Sequence, residues 1–135
     1  MENVHFEWKK EYSVHVSMLD GQHQQLIKII DDLYQAILKN QGKEALNKVF
    51  TGLGEFADLH FATEEKYFNE FGYPEAETHV ALHKKFRKDF LAMEAKSAGE
   101  ASPYDVLFFL ENWWINHIMD IDKRYSDFFN EHGLH

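Results

Sequence analysis

The chain contains no cysteine. That removes disulfides, thiolate metal sites, iron–sulfur clusters and covalent haem attachment together. Positive charge is also scarce: fourteen Lys and Arg stand against twenty-three Asp and Glu, for a formal net charge of −9. Binding to a phosphate backbone draws on clustered cations, so nucleic acid is not an expected partner. No apolar run approaches the ~18 residues of a membrane span, and the N-terminal MENVHFEWKK lacks the apolar core of a signal peptide. Membrane insertion is therefore not expected, and a cytoplasmic location is. An alternating strand pattern, an internal repeat, a linker and a low-complexity segment are all missing from the sequence.

What the chain does have is apolar and aromatic mass. Hydrophobic residues make up 44% of the 135 residues and aromatics 16%, with twelve Phe. That suffices for one domain, expected over residues 1–135, with a real core. An irregular arm over about residues 1–18, carrying Phe6, Trp8, Tyr12 and Val14, is expected to pack on the rest. Helical periodicity then places helices at about 20–39, 43–70, 74–96 and 103–129. Asp20 is the expected cap of the first and Ser102-Pro103 opens the fourth. Gly52 and Gly54, inside the second, suggest close approach of a neighbouring helix. Four such helices joined by mostly short loops predict an all-α fold, an antiparallel up-down-up-down four-helix bundle.

The nine histidines are the main clue. In HVALH, His79 and His83 lie one turn apart on the face that continues to Phe86, Phe90 and Met93. An isolated HxxxH is more often a surface pair than a ligand pair. The second helix changes that balance, because HFATEE puts His60 and Glu64 on the stripe of Leu46, Val49, Leu53 and Phe56. A core-facing Glu costs several kcal/mol if ionised and unpaired. Glu65, one position round, reads more simply as a solvated acid. His23 shares the stripe of Ile27 and Ile30, and His117 that of Leu110 and Trp113. Asp122 follows His117 by five residues, which turns it about 140° away on a regular helix. If both face the core, the helix must loosen there, by a π-bulge.

Four helices thus each present ligand-type residues inward: His23; His60 and Glu64; His79 and His83; His117 and Asp122. Left unsatisfied, seven buried polar groups would cripple a bundle of this size. One ion cannot use them all, since structural zinc takes about four ligands. Two octahedral ions can, if both carboxylates bridge and an oxo or hydroxo group is shared. One ion then receives three imidazoles, and the other receives two and keeps a position open. Iron, zinc, copper and nickel all suit such a thiolate-free set.

The stretches LDGQHQQLI, HFATEEKYF, HVALHKKF and WWINHIMDIDKRY resemble the hemerythrins, specifically the single-domain bacterial kind, from Trp8 to Tyr125. The resemblance implies a non-haem centre of two iron ions, with an oxo or hydroxo bridge, that binds O2 reversibly. It implies that His79, His83 and His117 hold the six-coordinate iron and that His23 and His60 hold the open one. Glu64 and Asp122 would bridge. A dry pocket for O2 is implied as well, with Leu26, Phe61, Trp113 and Ile118 spaced to line it. One departure is His15, where the family commonly has a small residue, often Gly. His5, His15, His132 and His135 lie off the four stripes and read as surface residues.

The functional expectation is O2 storage, transport or delivery by a monomer that is not an enzyme, with docking to an oxygen-using protein or a reductase compatible with it. The alternatives are a di-iron oxidase, peroxidase or nitric oxide reductase, a stand-alone O2 or redox sensor, and an iron scavenger. Ferritin-like oxygenases carry ExxH pairs on two helices. Here the single ExxH runs from Glu2 to His5, in the arm.

Overall fold

The computed structural model describes residues 7–97 and 102–135. Phe6, the Glu2–His5 pair and loop residues 98–101 lie outside the described residues. Four helical rods form a bundle: α1 (Ser17–Leu38), α2 (Gly42–Phe71), α3 (Ala76–Ser97), and a fourth rod that opens as α4 (Pro103–Trp113). The fourth rod continues through a π-helical segment (Trp114–Ile121) and a 3₁₀ turn (Asp122–Tyr125) into α5 (Ser126–Glu131). Helix α1 packs on α2 and α4, and α2 also packs on α3. The described residues contain no strand.

The end of α2 and the start of α4 each have a local cause. Gly72 closes α2 at φ 69°, the left-handed conformation that a residue without Cβ adopts freely, and the Gly72 and Tyr73 N–H groups both donate to the Phe68 carbonyl. Ser102 Oγ accepts the Tyr104 N–H at 3.1 Å with Pro103 in the first turn, so α4 begins with a satisfied cap. Helix α3 starts at Ala76 rather than at Pro74, which lies in the preceding turn. Nor does Asp20 cap α1, because the helix begins three residues earlier, at Ser17. Asp20 fastens the arm instead: its carboxylate accepts Ser13 Oγ at 2.6 Å and the Val14 N–H at 2.8 Å.

The two glycines within α2 do not mark a tight crossing. A Cβ at Gly52 would meet Ile29 at 3.5 Å and one at Gly54 would meet Phe90 at 3.8 Å, both ordinary contact distances. The tight approach is at Gly42, where a Cβ would come within 2.8 Å of Pro103. There the first turn of α2 meets the start of α4.

The core divides into two apolar clusters. One contains Leu26, Ile30, Leu53, Phe56, Phe61, Phe86, Leu110, Trp114 and Ile118. The other contains Val14, Val16, Leu19, Phe68, Tyr73, Tyr125 and Phe129. Between them, on α1 and α2, the periodic stripe is interrupted by His23, His60 and Glu64, all fully buried. The polar centre is therefore insulated by packed side chains along the bundle axis in both directions.

Candidate metal centre

Buried polar groups meet where the stripes of all four rods converge. His23, His60, Glu64 and Asp122 are fully buried, and His79, His83 and His117 are at most 3% exposed. The fourth rod can deliver both of its residues because it loosens there. Trp114–Ile121 is π-helical, and the Asp122 N–H donates to the His117 carbonyl five residues back. The wider turn rotates Asp122 onto the face of His117, and Asp122 Oδ1 lies 3.0 Å from His117 Nε2.

Two groups of donors result. Glu64, His79, His83 and His117 have ligand atoms all within 4.8 Å of one another, and so do His23, His60, Glu64 and Asp122. The carboxylates link the groups. Asp122 turns Oδ2 to His23 at 3.0 Å and to His60 at 3.2 Å, and Oδ1 to His79 and His117 at 3.0 Å each. Glu64 turns Oε2 to His60 at 3.2 Å, and Oε1 to His83 at 2.9 Å and His79 at 3.4 Å.

His23 and His60 hydrogen-bond Asp122 Oδ2, but the remaining short distances are not matched by hydrogen-bond alignment. Glu64 Oε1, Asp122 Oδ1 and the Nε2 atoms of His79, His83 and His117 are buried without a hydrogen-bond partner. These five atoms face one another at short range without pairing. Buried orphans of this kind are costly in a folded protein, and cations would satisfy them. The donor set, all nitrogen and oxygen, fits two first-row metal ions.

The electrostatics of the metal-free site follow from burial and mutual contact. Burial pushes the His60 imidazole down, but the Glu64 charge and the Asp122 contact outweigh it, and its pKa is raised to about 10. His79 is raised to about 9 by its contacts with Asp122 and Glu64, again against burial. Burial and the Asp122 charge would raise Glu64, yet His60 and His79 hold its carboxyl well below the usual range. Burial likewise opposes ionisation of Asp122, and His117, His23 and His60 hold it well below that range too. His23 goes the other way: burial dominates and lowers its pKa. Without metal, the centre balances its carboxylates with imidazolium protons.

Further contacts were not legible as site residues. Gln22, buried on α1, turns its Oε1 to His60 Nδ1 at 2.7 Å, and Tyr125 Oη donates to Glu64 Oε2 at 2.6 Å. Glu65 is not simply a solvated acid, because its Oε2 lies 2.8 Å from His83 Nδ1. Aromatic rings flank the imidazoles: Phe61 stacks on His83 and Trp113 on His117, each at 3.8 Å between centroids, and Phe56 stacks on His60 at 5.1 Å. Leu26, Phe61 and Ile118 are buried, whereas Trp113 is half-buried over the three-imidazole group. The tryptophan beside His23 is Trp114, edge-on at 6.1 Å. His15, His132 and His135 are exposed, away from both groups.

Comparison with known proteins matches the model of the hemerythrin HHE cation binding domain over residues 14–128. The chain is 29% identical over 129 residues to a bacteriohemerythrin of Clostridium acetobutylicum, covering 90% of this chain and 99% of that one. It is 28% identical over 121 residues to a bacteriohemerythrin of Stenotrophomonas maltophilia, covering 89% and 78%. A hemerythrin-like protein of Naegleria gruberi is 28% identical over 121 residues, covering 90% and 91%.

Proposed function

Because this chain belongs to the hemerythrin family, we propose that its buried donor set holds two iron ions and binds O2 reversibly. In this reading His79, His83 and His117 hold one ion, His23 and His60 hold the other, and Glu64 and Asp122 bridge them. One observation carries it: each carboxylate presents one oxygen to the three-imidazole group and the other to the two-imidazole group. The unequal number of imidazoles leaves one ion short of protein ligands. Two ferrous ions held by these residues, sharing an oxo or hydroxo group, would supply the electrons that reversible O2 binding needs.

The chain's own residues supply position and dryness. Phe56 stacks on His60 and Trp114 stands edge-on to His23, and with Leu26 and Ile118, buried in the same apolar cluster, they would exclude the water that competes with O2. Tyr125 holds Glu64 from behind, and Gln22 fixes the orientation of the His60 ring. The role assigned is storage, transport or delivery of O2 by a cytoplasmic monomer, without turnover of a substrate. No described helix is long and apolar enough to cross a membrane.

The test is an anaerobic optical titration of iron-loaded, dithionite-reduced and desalted protein. Oxygen is admitted and then removed under argon. A visible charge-transfer band that appears and bleaches reversibly supports an O2 carrier. One-way conversion to a diferric spectrum would overturn it in favour of an oxidase, a sensor or a scavenger.

A further inference from the structure

The five imidazoles of the centre differ in what stands behind them. His83 Nδ1 lies 2.8 Å from the Glu65 carboxylate. His60 Nδ1 lies 2.7 Å from the Gln22 amide oxygen. His23 Nδ1 is buried with no hydrogen-bond partner among the described residues. A neutral histidine that ligates through Nε2 carries its proton on Nδ1. The acceptor behind Nδ1 therefore decides how much electron density the ring passes to its metal. A carboxylate accepts a hydrogen bond roughly twice as strong as a neutral acceptor does. The amide gives less, and a missing acceptor gives least.

Neither acceptor is placed by accident of rotation. Gln22 Nε2 donates to Thr63 Oγ1 at 3.1 Å, and Thr63 Oγ1 donates to the Leu59 carbonyl at 2.8 Å, so the amide is locked with its oxygen toward His60. Glu65 sits beside Glu64 on α2 but turns to α3, its side chain 37% exposed, and meets His83 from outside the bundle. The carboxylate serves the three-imidazole half and the neutral amide serves the two-imidazole half.

Resting on the two-ion reading above, we propose that Glu65 and Gln22 make the two metal positions electronically unequal. Glu65 lowers the reduction potential and tightens the binding of the half held by His79, His83 and His117. Gln22 orients His60 without adding charge, which leaves the half held by His23 and His60 at higher potential and weaker affinity. An added one-electron oxidant would then be expected to oxidise first the iron held by His79, His83 and His117, with the iron held by His23 and His60 left ferrous. Both residues are positioning residues that act through a ligand.

The experiment compares the full chain with Glu65→Gln, Glu65→Ala and Gln22→Glu. Iron per chain, the two stepwise reduction potentials of the iron-loaded protein, and stepwise zinc(II) affinities by chelator competition are measured. Glu65→Gln keeps an acceptor behind His83 and removes only its charge. It is expected to raise the lower potential toward the higher one and to weaken the tighter site about 10–100-fold. Gln22→Glu is expected to lower the higher potential. If that buried variant does not fold, Glu65→Gln still decides the matter, because Glu65 is partly exposed. Wild-type potentials and affinities in Glu65→Gln, with losses confined to Glu65→Ala, would overturn the charge-based proposal and leave Glu65 a strut. Fewer than two ions per wild-type chain would instead overturn the two-ion reading itself.

Discussion

Asp122 Oδ1 lies 3.0 Å from His117 Nε2 although five residues separate them along one helical rod. A regular α-helix would point the two side chains apart; the π-helical segment Trp114–Ile121 brings them together. The same rotation carries Asp122 into the middle of the centre, in reach of His23, His60 and His79 as well. One backbone irregularity thereby joins the donor sets of four rods into a single site.

Substituting that carboxylate should separate the sets again. In Asp122→Asn the shared charge is lost from both groups while the side-chain shape is kept. Losing a partner behind a ligand already costs about 10–100-fold in metal affinity, so losing a shared ligand should cost at least as much at both positions. We expect fewer than two iron ions per chain by elemental analysis, with helix content unchanged. Full stoichiometry in this variant would mean that Asp122 does not bridge.

Most of the donor set was legible in the sequence because each of its members breaks a rule. A histidine or glutamate on an apolar stripe is an anomaly that a single helix cannot explain, and His23, His60, Glu64, His79 and His83 stand out on that ground. The spacing of His117 and Asp122 demanded a loosened helix, and one is present. Gln22, Glu65 and Tyr125 were not legible. Their meaning comes from partners on other helices, and each looks like an ordinary residue within its own segment. The neighbourhood of Trp114 was not legible for a related reason. Counting four back from His117 finds Trp113, which stacks on that histidine, while Trp114, the first residue of the π-helical segment, stands beside His23 on another rod. The start of α1 was missed because the arm, not a cap, receives the Asp20 carboxylate.

The metal-free protein should lose stability on the alkaline side. His60 and His79 ordinarily titrate at 6.5, and in the folded chain they are raised to about 10 and about 9. Between those limits the folded state binds more protons than the unfolded one. The stability they contribute is fully present below pH 6.5 and is lost as pH rises through 9 to 10. Glu64 and Asp122 are depressed below their usual 4.5 and 3.8, so their contribution is present above those values and is lost as pH falls through the lower folded ones. His23, also depressed, adds a loss as pH falls below 6.5. Thermal melts from pH 6 to 10 should show Tm falling with pH for metal-free protein and much less for zinc-loaded protein, whose ligands no longer carry those protons. Parallel curves for the two forms would contradict this assignment of protons.

Tyr125→Phe should weaken the centre without disturbing the core around it. The phenol donates to Glu64 Oε2 at 2.6 Å, and both groups are fully buried. Burial, together with the nearby Asp122 and Glu64 charges, raises the Tyr125 pKa well above 10, so it is a donor at any neutral pH. A hydrogen bond to a charged acceptor contributes about 1.5–3 kcal/mol. We expect a loss of that size in metal-free stability by urea titration, and metal affinity lowered at the positions Glu64 serves. A loss below about 0.5 kcal/mol, less than a typical net hydrogen bond, would show that the phenol contributes packing alone.

His15 gives the arm a built-in strain that a single substitution should relieve. Its φ is 61°, in the left-handed region that a side chain with a Cβ adopts at a cost of about 1–2 kcal/mol. The backbone is held there from both sides: the His15 N–H donates to Ser13 Oγ at 2.9 Å, and Asn130 Nδ2 donates to the His15 carbonyl at 3.0 Å. The imidazole itself is exposed, so its removal forfeits little packing. Glycine would adopt the same φ without a Cβ clash and keep both hydrogen bonds. Against that gain stands the greater backbone freedom of glycine in the unfolded chain, worth about 0.5–1 kcal/mol. The balance favours the substitution, and His15→Gly should raise stability by up to about 1 kcal/mol. His15→Ala keeps the Cβ and the strain while removing the imidazole, and should leave stability near wild type. If alanine stabilised the protein as much as glycine, the imidazole rather than the backbone would be the source of the cost.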